Sequence, residues 1–249
     1  MTLNKITIAV DAMGGENSPY KVLKGVEIFL KNNQNVDIVL LGDEEVISND
    51  IKKRSIKISN FNIINTTKNV SDDDDAKTIL RNREDSSIYR GLEIVKKNKF
   101  SGFVSAGNTG ALMILSRLQL GMIEGIDRPA ICSIIPCKND FSIMLDLGAN
   151  VSVTPRSMLQ FAIMGYCYHS ILNPSKDPKI GIINIGTENN KGLEFLQESH
   201  DLINKSFLSK NFYGFLEPNH ITSGICDIIL SDGYTGNIIL KTAEGLSDF

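Results

Sequence analysis

Short apolar runs rich in Ile and Val alternate along the chain with longer segments whose apolar residues recur at helical spacing. The runs at 6–11, 36–42, 102–105, 131–135, 142–146, 179–185 and 226–231 predict strands. Several are apolar on both faces, as strands buried between two helical layers are. Helix starts are marked by Ser18 before Pro19 in "NSPYKVLKGVEIFLKN" and by Thr154 before Pro155 in "VTPRSMLQFAIMGYCYHSIL". A third helix is predicted in "EDSSIYRGLEIVKKN", with Ile88, Leu92 and Val95 on one stripe. This order of β and α segments predicts a three-layer α/β/α sandwich with a mainly parallel sheet, formed as a single α/β domain over residues 1–249. There is no internal repeat and no long linker, and the acidic run at 72–75 reads as a solvated loop.

Composition narrows the class further. Apolar residues at 42% and charged residues at 22% suit a folded globular protein, and a net charge of −3 gives no reason to expect nucleic acid as a partner. Cys132, Cys137, Cys167 and Cys226 are scattered without metal or redox spacing, so they read as buried free thiols in a reducing, cytoplasmic setting. The apolar run near the N-terminus reaches a polar turn too soon for a signal peptide, and no run approaches the roughly 20 apolar residues of a membrane span.

Familiar catalytic signatures are missing: no GxGxxG, no GxxxxGK[ST], no HExxH and no GxSxG. His169, His200 and His220 lie apart with no motif around them and read as exposed or partly packed. Glycine-rich loops instead follow five predicted strands: "VDAMGGENSP", "SAGNTG", "DLGANV", "NIGTENNKG" and "SDGYTGN". In open α/β sheets ligands settle at the carboxyl ends of strands. Glycine there lets backbone N–H groups approach an oxyanion, and the following helix adds its positive end. The candidate phosphate and substrate contacts are therefore Gly14 and Gly15, then Ser105, Gly107, Asn108, Thr109 and Gly110, then Asp232, Gly233, Thr235 and Gly236. Lys191 reads as a surface lysine or as the cation of this set, and Asn237 as a helix cap or a group aimed into the cleft. Asp11, Asp43, Asp146 and Asp232 end strands, where hydrogen bonds to nearby N–H groups explain them without a metal.

Taken in order, "VDAMGGENSP", "LRNREDSS", "FVSAGNTGALM", "GIDRPAI", "LDLGANV", "LQFAIMG", "INIGTENNKG" and "SDGYTGNIILKTAEGL" resemble the bacterial phosphate acyltransferases over essentially the whole chain. That family transfers a fatty acyl group from acyl carrier protein to inorganic phosphate. The resemblance implies a fold similar to isocitrate and isopropylmalate dehydrogenases and phosphate acetyltransferases. It also implies no cofactor, a homodimer, and a cytoplasmic enzyme, peripheral at the inner membrane face, that feeds a membrane glycerol-3-phosphate acyltransferase in phospholipid synthesis.

By position in the matching motifs, the family's phosphate-contacting lysine falls on Lys191 and its catalytic asparagine on Asn237. Glu16, Arg83 and Tyr234 depart from the family's usual Asp, Lys and Phe but keep charge or aromatic character. Family members run on past "KTAEGL", and Ile238, Ile239, Thr242, Ala243, Leu246 and Phe249 keep a helical stripe to the final residue, so C-terminal truncation is expected. The alternatives are a short-chain acyl-CoA:phosphate acyltransferase and an inert fragment that acts only as a binding partner.

Overall fold

A computed structural model describes residues 5–68, 70, 71, 74–138 and 140–247, apart from the side chain of Asn82. The chain divides into two compact units, Met1–Gly121 and Met122–Phe249. Each unit closes its own hydrophobic clusters around its own sheet. The β–α alternation runs unbroken through the boundary, which is why the pattern does not reveal it.

The first unit holds β1 (Ile6–Asp11), α1 (Tyr20–Asn32), β2 (Val36–Gly42), α2 (Glu44–Lys53), β3 (Phe61–Asn65), α3 (Ala76–Asn82), α4 (Ser87–Lys97), β4 (Ser101–Val104) and α5 (Thr109–Leu120). Its strands are all parallel, in the order β3-β2-β1-β4. Side chains alternate across a strand. Val10 and Ala12 accordingly pack with Leu23, Val26 and Leu30 of α1, while Phe103 on β4 packs with Ile88 and Leu92 of α4.

The second unit holds β5 (Cys132–Pro136), β6 (Phe141–Leu145), α6 (Pro155–Leu172), β7 (Ile180–Ile183), α7 (Glu194–Asn204), β8 (Phe212–Leu216), β9 (Ile228–Leu230) and α8 (Gly233–Ser247). Its strand order is β5-β6-β9-β7-β8, parallel except for the antiparallel β5–β6 pair. Ile143, Leu145, Ile182 and Leu230 pack with Met158 and Phe161 of α6. Met144 and Ile229 point the other way, into a cluster joined by Ile239 and Leu240 of α8.

The α/β architecture with mainly parallel strands is as expected, with local differences. The sequence pattern omits β3 and β8; both are edge strands, and neither shows a long apolar run. Ser18 does not cap α1, since its hydroxyl donates back to the Gly14 and Gly15 carbonyls. Thr154 does cap α6, accepting from Ser157 N at 3.2 Å. All four cysteines are free, but only Cys226 is buried; Cys132 and Cys167 are exposed, because they occupy an edge strand and the outer face of a helix. Burial pushes the Cys226 thiol up to about 12. His169 is fully buried, neither exposed nor partly packed, and His200 packs against Phe212 and Phe215 at 5.0 Å. In the acidic run, Asp75 caps α3 through Thr78 N at 2.8 Å; Asp72 and Asp73 lie outside the described residues, as does Phe249.

Candidate functional site

In the second unit Leu145, Leu230 and Ile182 stand in register across β6, β9 and β7. Three of the glycine-rich loops therefore leave neighbouring parallel strands at one edge of the sheet. The first is organised by Asp146, which is fully buried. Its Oδ1 accepts from the N–H groups of Ile131, Gly148 and Ala149, and its Oδ2 from the backbone and side chain of Asn150, all at 2.8–3.2 Å. Five donors around one carboxylate fix the loop and satisfy the buried charge.

The second loop leads into α8. Asp232 is its cap, accepting from Thr235 N at 2.9 Å and Thr235 Oγ1 at 2.7 Å. A carboxylate so engaged offers no donor to an anion. Gly233 N donates to Asn150 O at 2.9 Å, and a Cβ on Gly236 would sit 1.9 Å from Asp146 O. The two glycines thus let α8 lie directly on the Asp146 loop. Capping by Asp232 releases Asn237 from that task. Its exposed side chain rests over Gly148, 3.6 Å from where a Cβ there would be, and its amide has no hydrogen-bond partner among the described residues.

The third loop carries Lys191. Its ammonium is half exposed and lies 2.7 Å from Glu188 Oε1. That hydrogen bond pushes Lys191 above its ordinary value and holds Glu188 below the usual carboxylate range, so Lys191 is a cation at neutral pH. Asn184, at the end of β7, is buried, and its Nδ2 donates to Lys191 O at 3.0 Å. Its Oδ1 is buried without a partner among the described residues. Gly192 has φ 88°, and a Cβ there would meet Asn184 Oδ1 at 2.0 Å, so only glycine fits.

In the first unit β1 and β4 are parallel neighbours, and Asp11 joins the loops that follow them. Asp11 Oδ1 accepts from Met13 N and Gly14 N at 3.1 Å, and Oδ2 from Ser105 Oγ at 2.8 Å. Ser105 Oγ in turn accepts from Gly107 N at 3.1 Å. A Cβ on Gly14 would come within 2.7 Å of Gly107 N, and one on Gly15 within 2.9 Å of Ala106 O. Asn108 caps α5 through Ala111 N at 2.8 Å and donates to Ser71 O at 3.0 Å. Thr109 and Gly110 form the first turn of α5.

The structure thus gathers Gly14, Gly15, Ser105, Gly107 and Asn108 in one unit, and Lys191 with the Asp232-to-Asn237 loop along one sheet edge in the other. All four strand-end aspartates order loops, Asp43 by capping α2 through Val46 N at 3.0 Å. Among the described residues, no group of three or more His, Cys, Asp or Glu converges to hold a metal, and no helix is long and apolar enough to cross a membrane. Sequence reading missed Asn184 and Glu188, whose roles depend on contacts with Lys191 and whose only signal was their place in a glycine-rich loop.

Together these features define an α/β protein whose strand-end loops are built from backbone donors, with one lysine among them. A family profile described as "Fatty acid synthesis protein" matches residues 6–249. The chain belongs to this family. It is 40% identical over 245 residues to a phosphate acyltransferase of Pelagibacter ubique, covering 98% of this chain and 73% of that protein. It is also 40% identical over 240 residues to a phosphate acyltransferase of Clostridium tetani, covering 96% and 71%. These matches take in 96–98% of this chain and 71–73% of the relatives' own length, and α8 runs to Ser247, exposed over its last turns. A phosphotransacetylase from Streptococcus pyogenes has the same fold, with a TM-score of 0.69 at 19% identity over 99% of this chain and 84% of that one.

Proposed function

We propose that this protein transfers a fatty acyl group from acyl carrier protein to inorganic phosphate, giving acyl phosphate for membrane phospholipid synthesis. Family membership supports acyl transfer to phosphate, and the Lys191 loop is the observation that carries the reading. It is a cation on a rigid turn beside loops built from glycine and backbone donors. Phosphate is already a nucleophile at neutral pH, so the absence of a histidine from the described loops costs nothing. One phosphate oxygen attacks the thioester carbonyl carbon, the tetrahedral oxyanion collapses, the C–S bond breaks, and the carrier's thiolate leaves. Lys191 holds the phosphate, and the unpartnered amide of Asn237 donates to the oxyanion or to phosphate. The main contributions are positioning and charge stabilisation. The reading includes a homodimer in the cytoplasm that delivers its product to a membrane glycerol-3-phosphate acyltransferase.

The test is acyl phosphate formation from acyl carrier protein and phosphate. Lys191→Ala and Asn237→Ala, each shown to be folded, should lower turnover by roughly 10²–10³, the usual loss of one preorganised donor. Unchanged turnover in both would remove them from the mechanism. Coenzyme A thioesters of short acids working as well as the carrier would favour the alternative donor.

A further inference from the structure

The turn that carries Lys191 holds a carboxylate as well as a cation. Lys191 N donates to Glu188 O at 3.1 Å and Asn184 Nδ2 to Lys191 O at 3.0 Å, so the turn is tied across itself and to the end of β7. Both side chains fold back over Gly186: a Cβ there would lie 2.8 Å from Glu188 Oε2, 2.7 Å from Lys191 Cδ and 3.4 Å from Lys191 Nζ. Gly186 is itself buried, although Glu188 and Lys191 are half exposed. The missing side chain at Gly186 therefore seats the ammonium and the carboxylate side by side, 2.7 Å apart, with their outer faces open to solvent.

The Lys191 ammonium only donates hydrogen bonds, and the ionised Glu188 carboxylate only accepts them. Glu217, just past β8, lies near enough for its charge to push Lys191 up further. One ammonium thus stands beside two carboxylates, a balance hostile to a bare dianion. Inorganic phosphate differs from sulfate, a tetrahedral dianion of similar shape, in keeping a proton on one oxygen at neutral pH. We infer that Glu188 selects phosphate by accepting the hydrogen bond of that P–OH group while Lys191 donates to a neighbouring oxygen, an inference that rests on the phosphate-binding reading of Lys191 above. The bond offsets part of the carboxylate's repulsion for phosphate and leaves it in full for sulfate. Hydrogen bonds to charged groups are the strong ones, worth about a hundredfold where they are buried. The half exposure of this pair weakens both the bond and the repulsion, so discrimination of about tenfold is expected.

Phosphorus NMR line broadening of inorganic phosphate, with arsenate and sulfate as competitors at fixed ionic strength, tests it. Arsenate keeps a proton at neutral pH as phosphate does. In the natural chain arsenate should displace phosphate, and sulfate should do so about tenfold more weakly. Glu188→Gln keeps a carbonyl for Lys191 and turns an N–H donor to the anion, and should bring sulfate to within about twofold of arsenate. Glu217→Gln removes an equal charge from outside the pair and is the control. It should strengthen both competitors alike and leave their ratio unchanged.

Sulfate competing as well as arsenate in the natural chain, or a ratio that Glu188→Gln does not move, would overturn the inference. So would a ratio that Glu217→Gln moves as far as Glu188→Gln, since the selection would then belong to charge alone. No displaceable phosphate at all would overturn it together with the Lys191 site. Because no acyl donor is present, selective phosphate binding by a chain that forms no acyl phosphate would count against the proposed function alone and leave the role of Glu188 standing.

Discussion

The two units solve one problem in different ways. Each must hold glycine-rich turns at the ends of parallel strands, and each does so with a buried aspartate at the strand terminus. In the first unit Asp11 divides its carboxylate between its own turn and Ser105, so that two loops are tied through a side chain. In the second, Asp146 spends its carboxylate on its own loop and on Ile131, and the tie to the next loop is made by backbone, through Gly233 N, Asn150 O and the close approach of Gly236. The second unit also has what the first lacks in its paired loops, a lysine. The comparison teaches that similar turns gain different chemistry from the side chains set among them, here a single cation.

The largest effect that can break this comparison is on stability. Asp146→Ala strands four backbone donors and the Asn150 amide in a buried site, and at about 1–3 kcal/mol for each left unsatisfied, partly relieved by relaxation, it should cost about 4 kcal/mol. Asp11→Ala strands two backbone donors and frees a hydroxyl that can rotate, and should cost about 2 kcal/mol. Denaturant unfolding of both variants checks the order. Equal losses would mean that the loops are held by something other than their aspartates.

A smaller effect sharpens the second unit's side of the contrast. Glu188 holds the Lys191 ammonium and places a negative charge where phosphate would arrive. The pair is exposed and therefore weak as a stabilising contact. Glu188→Gln should lower the KM for phosphate about two- to fivefold at low salt, with the gain shrinking as salt is added. A raised KM would show instead that Glu188 is needed to aim the lysine.

Much of this was legible in the residues, for reasons that can be named. β1 and β2 coincide with their apolar runs because both are interior strands of a parallel sheet. The strand-end aspartates announced their work by preceding turns rich in donors. β3 was hidden in "FNIIN" and β8 in "FYGFL", edge strands too short or too interrupted to mark a period. The division into two units was hidden because each repeats the same β–α grammar. Asn184 looked like an ordinary loop residue, and only its burial and its bond to Lys191 O show that it braces the cation's turn. Whether Asn237 capped its helix could not be decided from spacing; Asp232 occupies that role.

The central claim is that the second unit's loops present Lys191 and Asn237 to phosphate. Phosphorus NMR line broadening of inorganic phosphate, titrated with the natural chain and with folded Lys191→Ala and Asn237→Ala, addresses it most directly. Saturable binding that weakens at least tenfold in Lys191→Ala, and measurably in Asn237→Ala, is the predicted result. Phosphate bound equally well by all three proteins would contradict it.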